Sequence, residues 1–254
     1  MKMTSKLAIA AICGMLMFSC MNNAAEAAPA KSEIDYTVRG PSGEPKVLED
    51  ELARLNKLIE KNPGESYGIF IDNEKTKSKG SDVIFTGHVA PSYETYEDYL
   101  KKAADLKGVI LVEPTNLPEG YSFTKAELLC PFSPQFKNDL RAEAKQKGAA
   151  VLSKKYEWTE AGQLVLEYKN GEDKLLLEYI ARDSKASSAQ KGYHYQTADE
   201  KRQKLKPEFR NSPQQNTLLW TEQGRQFRII TNEGNTLTKE DLIKLAETMV
   251  RINR

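Results

Sequence analysis

Apolar and polar positions follow their clearest pattern at the end of the chain, from Thr217 to Val250. Thr217-Leu218-Leu219-Trp220-Thr221-Glu222 and Gln226-Phe227-Arg228-Ile229-Ile230-Thr231 are rich in β-branched and aromatic residues. The intervening Gln223-Gly224-Arg225 includes a glycine able to take positive φ, so the pair predicts a β-hairpin. Thr238 then stands three residues before Asp241, as in a capping box, and Leu242, Leu245, Ala246 and Met249 recur at helical spacing. A lone hairpin or a helix of this length buries too little to stand in water, so residues upstream must supply the rest of a sheet.

Upstream, Leu48, Leu52, Leu55, Leu58 and Ile59 predict a helix from Pro45 to Lys61, which Asn62-Pro63-Gly64 stops. Strands are predicted at 67–72 and 82–89, on either side of a Lys-rich turn at 74–80. A helix is predicted from Ser92 to Leu106, with Tyr93, Tyr96 and Tyr99 at i, i+3, i+6. Such tyrosines pack against a sheet or stack on sugars. A short strand at 108–112 leads to a turn around Leu117-Pro118-Glu119-Gly120, then a strand at 121–129. Ser133 and Pro134 open a helix that Gly148 closes. Strands follow at 154–158, 163–169 and 174–182, the last two joined through Asn170-Gly171. Residues 183–216 are Ser-, Lys- and Gln-rich and predict a polar insertion with a short helix at 198–205.

The expected fold is α+β: an antiparallel sheet built from hairpins, helices packed on one face, and a C-terminal amphipathic helix. Residues 1–30 are expected to be an export signal and the start of a tether. Residues 31–105 are expected to form an N-terminal α/β segment, either a lobe of its own or an extension of the sheet. Residues 106–254 complete the C-terminal domain with its insertion.

The first thirty residues carry Lys2 and Lys6 before an apolar run, Leu7 to Ser19, then small residues, as an export signal does. Thirteen residues reach about 20 Å as a helix, short of a bilayer's apolar core, and the rest of the chain holds no longer apolar run. The mature chain is therefore expected to have no transmembrane helix. Two ends of the signal fit: acylation of Cys20, as in bacterial lipoproteins, or cleavage after Ala27 or Ala30. Either address is extracytoplasmic, secreted or lipid-anchored to the outer face of the membrane.

The chain has 37 basic and 36 acidic residues, and loss of Lys2 and Lys6 alone takes the formal charge from +1 to −1. A balance so near zero argues against nucleic acid as a partner. Cys13 and Cys20 fall in or at the end of the signal, which leaves Cys130 without a disulfide partner; its neighbours Leu128 and Leu129 suggest a buried thiol.

Three stretches resemble a known family: the turn Pro114 to Tyr121 with its Leu117-Pro118-x-Gly120-Tyr121 centre, Leu219-Trp220-Thr221-Glu222-x-Gly224, and Glu240-Asp241-Leu242-Ile243-Lys244-Leu245-Ala246-Glu247-Thr248. Over about residues 106–252 the chain resembles domain-of-unknown-function family 4367, found in Gram-positive lipoproteins and on the outer side of anti-sigma-factor-like membrane proteins. The resemblance implies an extracytoplasmic α+β domain and transfers no catalytic residue. Unlike the anti-sigma members, this chain has neither a membrane helix nor a cytosolic partner-binding segment, so it is not expected to hold a sigma factor.

Gly64-Glu65-Ser66-Tyr67-Gly68 matches the nucleophile-elbow pattern, with His194 as the only downstream imidazole. That motif needs a strand running into a helix, whereas here a helix precedes Ser66 and a strand follows. His88 and His194 are the only histidines, too few for a histidine zinc site. Asp72-Asn73-Glu74 lacks the spacing of a calcium loop, and Ser188 to Lys191 matches S-x-x-K only within the polar insertion. No metal or cofactor is expected. The insertion carries seven cations against four carboxylates around Tyr193-His194-Tyr195, which are the candidate ligand-binding residues.

The expected function is thus a non-enzymatic binding or regulatory module of the cell envelope. Its partner would be an envelope protein, an anionic cell-wall polymer or a lipid head group. The alternatives are a serine hydrolase using Ser66 and a carrier of a hydrophobic ligand.

Overall fold

The structure is a computed structural model that describes residues 46–76, 80–181 and 192–253. The export signal, Cys20, the tether, the tip of the Lys-rich turn and Ser188 to Lys191 lie outside the described residues. Those described form six α-helices and twelve strands in antiparallel sheets, an α+β fold. They divide into two compact units, and the chain crosses between them at 89/90, 131/132 and 157/158. The sequence pattern placed its single cut at 105/106.

The first unit centres on strand β1, Ser66–Ile71, which is buried at every position. It pairs antiparallel with β2, Val83–Gly87, on one side and β6, Val151–Lys155, on the other. Burial on both faces explains why β1 reads as a continuous apolar run and not an alternating one. Tyr67, Ile69 and Ile71 face helix α1, Lys46–Lys61, through Leu48, Leu52 and Leu55. On the opposite face Phe70 meets Leu140 and Ala144 of helix α4, Pro134–Lys147. Helices thus flank this sheet on both faces, contrary to the expected single helical face.

Gly68 allows that close packing, since a Cβ there would lie 2.3 Å from the Phe136 ring. Helix α4 is capped by the Ser133 hydroxyl, which accepts from the Phe136 N–H, and ends at Gly148 with φ 60°. Arg141 of α4 donates two hydrogen bonds to the Asp82 carboxylate at 2.6 and 2.8 Å, which hold that carboxyl below its usual range. Phe85, Phe132, Phe136 and Tyr156 gather with ring centroids 4.5 to 5.8 Å apart. Phe132 is held there at φ 47°, a conformation unusual for a side chain this large.

The expected strand at 154–158 is β6, three residues earlier, because Val151 to Lys155 find partners on β1. The Lys-rich turn opens as a one-turn helix α2, Asn73–Thr76, whose Glu74 and Lys75 N–H groups are capped by Asp72.

The second unit holds a seven-stranded sheet. In spatial order its strands are β3 (Ser92–Tyr93), β5 (Ser122–Leu129), β7 (Gln163–Asn170), β8 (Asp173–Ile180), β11 (Arg225–Asn232), β10 (Gln215–Glu222) and β9 (His194–Gln196). Alternation on β7 and β8 sends Leu164, Leu166, Tyr168, Leu175, Leu177 and Tyr179 into one core. Helices α3, Tyr96–Ala104, and α6, Lys239–Thr248, add Tyr99, Ala103, Leu242, Leu245 and Ala246 to it. The β10–β11 hairpin turns through Gln223 and Gly224 at φ 51° and 77°, the two positive values of a type I′ turn.

Three expectations change in this unit. The helix expected from Ser92 begins at Thr95, whose hydroxyl accepts from the Asp98 N–H, because Ser92 and Tyr93 pair instead with β5. The polar segment 183–216 forms the short helix expected of it, the capped α5, Ala198–Lys204, and its described part also supplies an unexpected edge strand, β9. The last helix stops at Thr248, and Val250–Asn253 forms strand β12 against β4, Gly108–Leu111.

Asn253 of β12 closes α3. Its Nδ2 donates to the carbonyl of Ala103 (3.1 Å), which also accepts from the Leu106 N–H, and to that of Leu106 (2.9 Å) just past the helix end. Asn253→Ala should therefore cost about 1–2 kcal/mol in urea unfolding. Asn253→Asp, which keeps the size but has no donor, should lose as much; wild-type stability in Asp would contradict the cap.

Candidate functional site

The turn from β3 into α3 creates an open concavity of 530 Å³, lined by Ser92, Tyr93, Glu94, Asp98, Lys101, Lys102 and Asp105. Its geometry follows from two local conditions. Pairing of Tyr93 with Ala126 holds the chain extended, and the Thr95 cap then turns it sharply into helix. Residues 94, 98, 101, 102 and 105 consequently project from one side of that corner around the Tyr93 ring.

Burial, reinforced by the Asp105 carboxylate, pushes the Tyr93 hydroxyl up to about 12, so at neutral pH it is a neutral donor and acceptor. The Asp98 carboxyl is held down by hydrogen bonds from the Thr95 hydroxyl and then from Lys101. Lys101 is shared between Glu97 and Asp98, at 3.2 and 3.4 Å. Lys102 lies over the Trp158 ring, 5.7 Å from its centroid. Glu94 and Asp105 make no ion pair among the described residues and stand exposed on the rim. The concavity therefore offers one aromatic ring, free carboxylate acceptors and ammonium donors at close quarters, a set that can hydrogen-bond a ligand rich in hydroxyls.

The expected ligand residues are distributed differently. Tyr193 packs on Trp220 with centroids 5.4 Å apart, and Tyr195 also packs against the core of the second unit. His194, between them on β9, points to the other face of the sheet, and its Nε2 is buried without a hydrogen-bond partner among the described residues. Tyr193, just before β9, and Trp220, Phe227 and Tyr179 on β10, β11 and β8 form a ladder of rings with steps of 5.3 to 5.5 Å. The tyrosines of the polar segment thus fasten an edge strand.

Of the segment's cations, Lys201 donates to the Gln215 carbonyl and the Thr217 hydroxyl, and burial lowers its pKa. Arg202 is paired with Asp199 and Glu233, both at 2.5 Å.

Ser66 is 2% exposed and begins β1, and its hydroxyl donates to the His88 backbone carbonyl at 2.9 Å. Gly68, the second glycine of the elbow-like pattern, is accounted for by the Phe136 ring above it. Cys130 is a buried free thiol. Among the described residues no three His, Cys, Asp or Glu side chains lie close enough together to hold a metal ion, and no helix is long and apolar enough to cross a membrane. No family model, curated protein or solved structure matches this chain.

The concavity escaped the sequence pattern because Tyr93 shares helical spacing with Tyr96 and Tyr99. The signal that marks it is the Thr95-x-x-Asp98 cap, which starts the helix after Tyr93. Its chemistry has a pH signature. With the folded value near 12 and the unfolded value near 10, Tyr93 contributes stability that is fully present below about pH 10 and lost as pH rises toward 12. Tyr93→Phe should lose less stability than wild type between about pH 9.5 and 11.5. Equal losses in urea titrations at those two pH values would count against it.

Proposed function

We propose that this chain is an exported, non-enzymatic binding or regulatory module of the cell envelope, and that the concavity between β3 and α3 holds a polyhydroxylated, glycan-type segment. The observation that carries this reading is the grouping of the half-buried Tyr93 ring with the unpaired carboxylates of Glu94 and Asp105 and the ammonium of Lys102. An aromatic face covers the apolar side of a sugar ring, while mixed donors and acceptors bind its hydroxyls. With three carboxylates and two lysines along its lining, the concavity favours a neutral or amine-bearing glycan over an anionic one. Anionic cell-wall polymer, a lipid head group or an envelope protein would engage the basic part of the polar segment.

The export-signal pattern in Met1 to Ala30 supports the extracytoplasmic address, with Cys20 as the acylation point if the chain is lipid-anchored. Membership of family 4367 is proposed on the three stretches that resemble it. The hydrolase alternative has little support, since the Ser66 hydroxyl is buried and donates to a backbone carbonyl. The carrier alternative is not favoured by a concavity that is open and carries five charged side chains along its lining.

Titrating the full chain with a panel of neutral, amine-bearing and anionic wall glycans tests the reading. Saturable binding is expected, with Asp105→Ala weakening it about tenfold at unchanged melting temperature, and Tyr93→Ala weakening it at least as much while lowering the melting temperature, since the ring packs on Tyr99. Binding that both variants retain, or a panel with no ligand, would remove the concavity from consideration. A serine-directed phosphonate should leave Ser66 unlabelled, and Ser66→Ala should cost about 1 kcal/mol of stability through the lost hydrogen bond. Labelling that disappears in Ser66→Ala would restore the hydrolase.

A further inference from the structure

Phe209 is 47% exposed, one of three large apolar side chains left open to solvent among the described residues. Its surroundings set it apart. It ends a single 3-10 turn, Pro207–Phe209, between Lys206 and Arg210, separated from the end of α5 at Lys204 by Leu205 and Lys206. Lys204, Lys206 and Arg210 are all exposed and make no ion pair among the described residues. Glu208 is the one carboxylate in the same stretch. We propose that this basic, aromatic-tipped turn docks on an anionic lipid surface, with Phe209 entering the head-group layer and Lys204, Lys206 and Arg210 meeting the phosphates.

Three features argue for it. Phe209 and the exposed cations Lys204, Lys206 and Arg210 fall within seven residues, so the apolar tip and the positive charges share one short stretch of surface. The turn is already ordered: the Phe209 N–H donates to the Lys206 carbonyl at 2.9 Å, the Arg210 Nε donates to the Leu205 carbonyl at 3.2 Å, and Pro207 restricts the backbone. Little conformational freedom remains to be lost on docking. The turn is also firmly mounted, because Lys201 and Arg202 bind α5 to β10 and to Glu233 beyond β11, and the Ala198 N–H donates to Asn216. An apolar tip with flanking cations suits an anionic bilayer surface, where the aromatic ring and each cation add separately. A soluble anionic polymer would use the cations and leave the ring idle. This surface lies on other elements than the concavity and does not depend on the glycan reading.

The test is partition of the full chain between buffer and vesicles of phosphatidylcholine with or without about one third phosphatidylglycerol. Any binding by the N-terminal apolar run is common to wild type and variants. Wild type should favour the anionic vesicles, and about 0.5 M salt should remove that preference. Phe209→Ser should weaken anionic binding about fivefold, and Lys204→Gln with Lys206→Gln about twentyfold, at unchanged melting temperature. In Phe209→Trp the emission should be quenched more strongly than in wild type by bromine on the lipid chains.

Equal binding to both vesicle types, or Phe209→Ser binding like wild type, would overturn the proposal. So would a soluble glycerol-phosphate polymer that binds wild type and Phe209→Ser alike and competes fully with vesicles, since it would assign the cations to a wall polymer.

Discussion

Every side chain of β1 is buried, with Tyr67, Ile69 and Ile71 under the leucines of α1 and Phe70 under α4, so the strand requires a helix on each face. Only one of those helices is near in sequence. The other, together with the second flanking strand, begins more than sixty residues later at Pro134, and between them the chain builds β3, α3, β4 and β5 of the second unit. Neither unit is therefore a continuous stretch. The paired Arg141 and Asp82 and the ring of Phe136 over Gly68 hold the returning helix in place.

In the second unit the same demand for cover is met differently. One face of β7, β8 and β11 carries Leu164, Leu166, Leu175, Leu177 and Ile229, which share a core with α3, α6 and strand β4. Polar groups complete what burial begins: the Asn253 amide caps α3, and Tyr99 donates to the Leu111 carbonyl at 2.8 Å. On the opposite face of the sheet Glu178 is nearly buried, yet it accepts from Arg228 at 2.6 Å and Gln163 at 2.5 Å, so its charge is matched.

These internal uses narrow where function can lie. Ser66, Tyr193, Tyr195, Lys201 and Arg202 all look chemically active in one dimension, and each has a structural partner in three. Among the described residues, two of the surfaces that keep groups without such partners stand out. One is the corner where β3 turns into α3, with the carboxylates of Glu94 and Asp105; the other is the turn carrying Phe209 among Lys204, Lys206 and Arg210. The first is proposed to take a hydroxyl-rich ligand and the second to meet an anionic lipid surface.

Local patterns by themselves determined most elements of this protein. The Leu48 to Ile59 helix, the Ser133 and Thr238 caps, the Asn170-Gly171 turn and the alternation along β7, β8, β10 and β11 are all short-range consequences of side-chain shape and hydrogen bonding. Tertiary structure decided what such patterns leave open. Whether Tyr93 is helical or extended depends on an edge of β5 more than thirty residues away, and whether Tyr193 is a ligand contact or a rung beside Trp220 depends on β10. Strand pairing and burial act between residues far apart in sequence, so a residue's type shows what it can do, and only its neighbours in space settle which of those things it does.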